Sequence, residues 1–270
     1  MKNEMILANG VRIEFGEHGI NVIGTDGGVI RFDDNGRQLY ESVFNKAESF
    51  MEYFDFMGHE QQRIAKEWYA KRKKKNIEED KLKRWRRILF NILDEASEKI
   101  TKEYYIANIE PSIDENGRIY YKAGEKVARG LSCNEWRQKA REFAPECESD
   151  LSTLYQLVLW YAYRIAKGYW TVEYVCDDSS IAGNYCNSPN ATYNFEVSGA
   201  REVGGASDGV GNTYKIVTSV EAVFCWFGGS YDKYGDYFPV ANVDTVNHPD
   251  TSIFFGSGVV VLNKVRATSH

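Results

Sequence analysis

A chain of 270 residues, 43% hydrophobic and 14% aromatic, carries enough apolar surface for one large or two ordinary cores, which excludes intrinsic disorder. With 33 Lys and Arg against 39 Asp and Glu the formal charge is −6, which argues against non-specific wrapping of nucleic acid. The longest apolar stretch, residues 154–163, is about half the ~20 residues that cross a bilayer and contains Gln156, and the first residues hold no continuous apolar run, so a soluble, cytoplasmic protein without a membrane partner is expected.

Four turn signals open the chain: Asn9-Gly10, His18-Gly19, Asp26-Gly27 and Asn35-Gly36. Between them lie VRIEF, INVIG and VIRF, short β-branched runs that predict a small antiparallel meander, because Asn-Gly and Asp-Gly turns accept positive φ at little cost. From about Ser42 the period lengthens. Phe50, Tyr53, Met57, Ile64 and Trp68 fall on one stripe and predict a helix of about thirty residues, with Gly58 as its weak point. A second stripe runs through Leu82, Trp85, Leu89, Ile92, Ala96, Ile100 and Tyr104, every gap being three or four. The two stripes predict a long antiparallel helical hairpin over about 42–105 that reverses near Asn76 and protrudes from the body.

The stretch NIEPSIDENGRIYYKAG predicts a hairpin around Asn116-Gly117. Ser132 followed by Glu135 is a capping-box pattern for a helix that carries Trp136, Ala140 and Phe143 and stops before Pro145. A further helix is predicted from Ser149 or Ser152 to Gly168, with Arg164 and Lys167 complementing the dipole in its last turn. Its middle is apolar nearly all round, which predicts the most buried helix of the protein. After Gly168 the alternation in YWTVEYVCDD predicts a strand, and TYNFEV, TYKIV, EAVFCWF and SIFFGSGVVVLNKV predict others. The expected fold is α+β: an N-terminal β-meander, the helical hairpin plus two helices, and a C-terminal antiparallel β-sandwich or barrel-like sheet. The expected division is 1–168, meander and helices, and 169–270, an antiparallel β domain.

Charge is unevenly divided. Residues 60–87 hold twelve Lys and Arg against five acids, and residues 169–270 hold five against eleven. Helix punctuation explains about half of the basic run, since cations suit the last turn of one helix and Asn76, Glu78, Glu79 and Asp80 suit the start of the next. Lys83, Arg84 and Arg87 point away from the Leu82-Trp85-Leu89 stripe, and with Lys73, Lys74 and Lys75 they could contact phosphate. A solvated or protein-contacting face is favoured, because no helix-turn-helix, zinc-finger or RNP pattern accompanies them.

Chemical signatures are few. The four histidines, His18, His59, His248 and His270, lie in no zinc-binding spacing, and no phosphate-loop ending follows GGASDGVGN, so neither a metal nor a cofactor is expected. Cys133, Cys147, Cys176, Cys186 and Cys225 form no C-x-x-C pair and are expected to be reduced, buried thiols. A Cys225–His248 catalytic pair is disfavoured by the apolar strand around Cys225. A metal-dependent hydrolase using Asp26, or Asp177 and Asp178, is the weakest reading, since such acids more often form turns. The loop GGSYDKYGDYF places Tyr231, Tyr234 and Tyr237, with Asp232 and Asp236, in a mixture that binding loops use. Together these features predict a non-catalytic, homo-oligomeric interaction protein with a protein partner, of the kind a phage or mobile element makes to bind, coat or inhibit a host complex. Nucleic-acid binding through the basic hairpin tip is the alternative.

Overall fold

The short β-branched runs between the first turns become strands in a computed structural model that describes residues 3–6, 12–16, 19–23, 29–32, 51–76, 84–177, 202–203, 206–207, 214–219, 224–228, 241, 243–246, 248–250 and 256–264. Strands β1 (Asn3–Ile6), β2 (Arg12–Gly16), β3 (Gly19–Ile23) and β4 (Val29–Phe32) form an antiparallel sheet in chain order, with Ile13 opposite Val22 and Val22 opposite Ile30. This meander belongs to a first compact unit, Met1–Glu52. The second unit is Tyr53–His270.

The long helix expected from residue 42 is interrupted. Phe54–Met57 is a strand, β5, paired antiparallel with β6 (Tyr104–Ala107), and helix α1 spans His59–Asn76. Gly58 lies at the junction, and its carbonyl accepts the Gln62 N–H at 3.0 Å. A Cβ there would come within 2.5 Å of the Phe56 ring, so any other residue would have to displace that ring. Helix α2 spans Arg84–Lys99, and Tyr104, the expected end of the second stripe, instead opens β6. The hairpin β7 (Ser112–Ile113) and β8 (Ile119–Tyr120) forms as predicted, with Gly117 at φ +75°.

Helix α3 (Cys133–Phe143) begins with the predicted capping box: Ser132 Oγ accepts the Glu135 N–H, and the Glu135 carboxylate accepts the Ser132 N–H at 2.7 Å. Strand β9 (Ser149–Leu151) precedes α4 (Leu154–Ala166), whose own capping box joins Thr153 and Gln156. Every residue from Gln156 to Ala162 is buried, as an all-round apolar helix requires. Gly168, at φ +75°, turns the chain out of α4. The next segment is a short helix, α5 (Val172–Cys176), where a strand was expected; Thr171 caps it by accepting the Tyr174 N–H.

Strands β10 (Glu202–Val203) and β11 (Ala206–Ser207) form a small ribbon. β12 (Tyr214–Thr218), β13 (Phe224–Phe227), β14 (Val243–Thr245) and β15 (Gly256–Gly258) make a mixed sheet in the order β14-β13-β12-β15, in which β15 runs parallel to β12. After Val259 the chain enters a second sheet as β16 (Val260–Leu262), between β6 and β9 in the order β5-β6-β16-β9. Strands from both sides of residue 168 share this sheet, and the compact units part between Glu52 and Tyr53. TYNFEV lies outside the described residues.

The core is built around α4. Leu157, Trp160 and Tyr161 meet Tyr104, Ile106 and Val261 of one sheet and Val217 and Phe227 of the other. Helices α1 and α2 lie against α4, burying Ala65 and Tyr69 from the first and Leu89, Leu93 and Ala96 from the second. Tyr161 stacks on Phe227 with ring centroids 5.5 Å apart.

Candidate functional site

The two arm helices run antiparallel, as their contacts show. Lys73 meets Asp94 at 2.5 Å, Lys66 Nζ donates to the Ile100 carbonyl at 2.7 Å, Gln62 Nε2 donates to the Lys102 carbonyl at 2.8 Å, and the His59 N–H donates to Glu103 at 3.1 Å. The expected reversal of direction is present, with residues 77–83 outside the described part. Among the described residues the two helices do not stand free of the body. Both helices pack along α4, because their apolar stripes need a partner that an isolated pair of rods cannot supply.

This packing sorts the basic run. Arg86 turns inward and makes a two-pronged ion pair with Asp177 at the end of α5, Nε lying 2.9 Å from Oδ1, with only 16% and 13% of the two side chains exposed. Asp177 is thus part of an internal lock, while Asp26 and Asp178 lie outside the described residues. The Lys73 ammonium, followed by the Tyr69 hydroxyl, holds the Asp94 carboxyl below its ordinary range. Burial, with Asp94 as a second cause, pushes the Tyr69 phenol up. Lys71, Arg84 and Arg87 remain exposed and have no ion-pair partner among the described residues. The Arg84 guanidinium lies 4.7 Å from the Trp85 ring centroid, and Trp85 packs on the core, so one cation is held on a fixed aromatic support with Arg87 one turn further on.

The six cations of the nucleic-acid alternative are therefore not equivalent. Lys73 is tied to Asp94, Arg84 and Arg87 are displayed, and Lys83 and the side chains of Lys74 and Lys75 lie outside the described residues. Tyr231, Tyr234, Tyr237, Asp232 and Asp236 also lie outside them.

Sequence reasoning did not anticipate two buried ion pairs. Arg164, read as a dipole complement, reaches Asp55 on β5, which also accepts from Trp160 Nε1 at 2.7 Å and Asn108 Nδ2 at 3.1 Å. The guanidinium lies 5.3 Å from the Trp160 ring and 5.7 Å from the Trp170 ring. Lys215 on β12 pairs with Glu110, both side chains under a tenth exposed. A charged residue inside an apolar run is the signal in each case, since burial without a counter-charge is prohibitive.

Cys225 is buried in β13 and His248 is exposed. Burial, then the nearby Cys225, pushes the Cys133 thiol up to about 11, and burial, then Asp244, raises that of Cys225. Cys133, Cys147, Cys176 and Cys225 form no disulfide. In native protein at pH 8, iodoacetamide should label the half-buried Cys147 well before Cys133 or Cys225, and peptide mass spectrometry reads the order. Equal labelling of all three would contradict the buried placement.

No group of three or more His, Cys, Asp or Glu that could hold a metal occurs among the described residues, and no helix among them is long and apolar enough to cross a membrane. The class defined by the structure is that of an α+β protein with a basic helix pair docked on a buried central helix. No protein-family model matches the chain, and no curated protein matches it.

Proposed function

We propose that this is a non-catalytic, cytoplasmic and homo-oligomeric interaction protein that holds a protein partner with the exposed cations Lys71 of α1 and Arg84 and Arg87 of α2. The observation that carries the reading is the support of Arg84 on Trp85 beside Arg87, on a helix whose opposite face is fixed in the core. Arginine and tryptophan are the residues most often found at the energetic centre of protein interfaces, and a cation already held in place loses little entropy on binding. The Tyr231, Tyr234 and Tyr237 loop, with Asp232 and Asp236, is the second contact in this reading.

Affinity capture from the native cell tests it. Tyr231→Ala, Tyr234→Ala and Tyr237→Ala together should weaken capture while the melting temperature stays within about 2 °C of the parent, as surface changes do. Unfolding without loss of capture would place the three rings in the core instead. A salt titration against duplex and single-stranded DNA and RNA addresses the other class of partner, since phosphate binding weakens steeply as salt rises.

A further inference from the structure

A second cation-rich feature lies at the opposite end of α2, 15 residues from Arg84 and so about 20 Å along the helix. There a cleft of about 390 Å³ opens between the end of α2, the first turn of α4, α3 and the ends of β9, β12 and β16. Its size is that of a small-molecule site. Lys99, Lys102 and Arg137 line it, and it includes the N-cap of a thirteen-residue helix, where the peptide dipoles favour negative charge.

Two acids, Glu103 and Asp150, line the same cleft, and Asp150 is ion-paired with Arg137. Glu103 accepts the His59 N–H, which directs it toward the start of α1. Asp150 faces Arg137 through long contacts, 3.3 Å from Nε and 3.5 Å from Nη2, while Arg141 Nε reaches it at 3.1 Å and the Leu151 N–H at 2.8 Å. If Arg137 swings to a ligand, Asp150 keeps its other two donors. Lys99 is arranged in the same way. It lies 3.0 Å from Glu95, donates to the Tyr155 hydroxyl at 3.2 Å and sits 4.9 Å from the Tyr155 ring centroid; Glu95 also accepts from the Tyr155 hydroxyl and keeps that bond if Lys99 leaves. Lys102 has no ion-pair partner among the described residues. The floor is neutral and internally bonded: Gln156 donates to Asn263 at 2.9 Å and accepts from the Thr153 N–H at 2.9 Å.

We infer that this cleft binds a small phosphorylated molecule, its phosphate taken by Arg137, Lys99 and Lys102 and its organic part filling the remaining volume. A phosphate dianion, with two charges and several acceptor oxygens, matches one guanidinium and two ammonium groups better than a single carboxylate does. The inference does not depend on the partner at the other end of α2.

The test is thermal denaturation of the full chain in inorganic phosphate, with succinate and sodium chloride at matched ionic strength. Phosphate should raise the melting temperature above both controls in a saturable manner, and Arg137→Gln and Lys102→Gln should each weaken the apparent affinity about ten-fold, the effect of one charge-assisted hydrogen bond. Phosphate also stabilises folded proteins by exclusion from their surface, and that effect survives in the variants. A phosphate shift of equal size in the parent and in Arg137→Gln, or one no larger than succinate gives, overturns the inference. Lys102 is exposed, so Lys102→Gln keeps the test decisive even if Arg137→Gln fails to fold.

Discussion

Replacing Lys215 with Met is expected to lower the unfolding free energy by about 3–5 kcal/mol, the usual effect of removing one member of a buried ion pair. Lys215 stands on one of the two inner strands of a mixed sheet and its ammonium meets Glu110, with side-chain exposures of 7% and 4%. Methionine fits the volume but takes away the positive charge that faces a buried carboxylate, so the loss is electrostatic and not a packing defect. Adding Glu110→Gln should recover more than half of it, because replacing both members of such a pair is far milder than replacing one. Each kcal/mol moves the melting temperature of a unit of this size by about 2–4 °C, so thermal denaturation separates the single from the double variant. Additive losses in the double variant would show that the two groups do not act on one another.

Trp136→Ala should cost about 3–5 kcal/mol through the cavity left behind. Trp136 is fully buried on α3 and lies against β15 so closely that a Cβ on Gly258 would sit 2.8 Å from its ring. Its Nε1 has no hydrogen-bond partner among the described residues, so Trp136→Phe removes volume without stranding an acceptor and should cost less than half as much. Trp160→Phe differs in kind, because it deprives Asp55 of a donor at 2.7 Å. Urea titration of the three variants gives the order; a Trp136→Ala protein within about 1 kcal/mol of the parent would contradict its buried placement.

What could be read from the residues alone was whatever is local. The Ser132–Glu135 box, the hairpin at Asn116-Gly117 and the burial of α4 each depend on side chains within a few positions or on a single helical period. Strand β5 was hidden because Tyr53 and Met57 also fit a helical stripe, and its pairing with β6 joins residues 47 to 53 positions apart. Thr171 fits the alternation of a strand yet is a helix cap, and five residues are too few for period to decide. The change at residue 168 was visible as composition, but the return of β16 to β6 and β9 was not.

The site was legible in part. Ten basic residues between 71 and 87 mark the region, yet Arg86 and Arg87 are neighbours with opposite fates. Arg86 meets an aspartate 91 positions away, and only the docking of α2 against α4 and α5 decides which of the two faces outward. The cleft at the other end of α2 draws on elements from Lys99 to Asn263, a separation that no local pattern reports.

The most direct test is quantitative capture of partners from the native cell by the full chain, compared with a variant carrying Arg84→Glu and Arg87→Glu. Both side chains are exposed, so the variant should melt within about 2 °C of the parent. The account predicts loss of a specific protein partner by roughly thirty-fold or more, the weight of one interface centre of about 2 kcal/mol. Retention of the same partner at unchanged strength by a folded variant would contradict it.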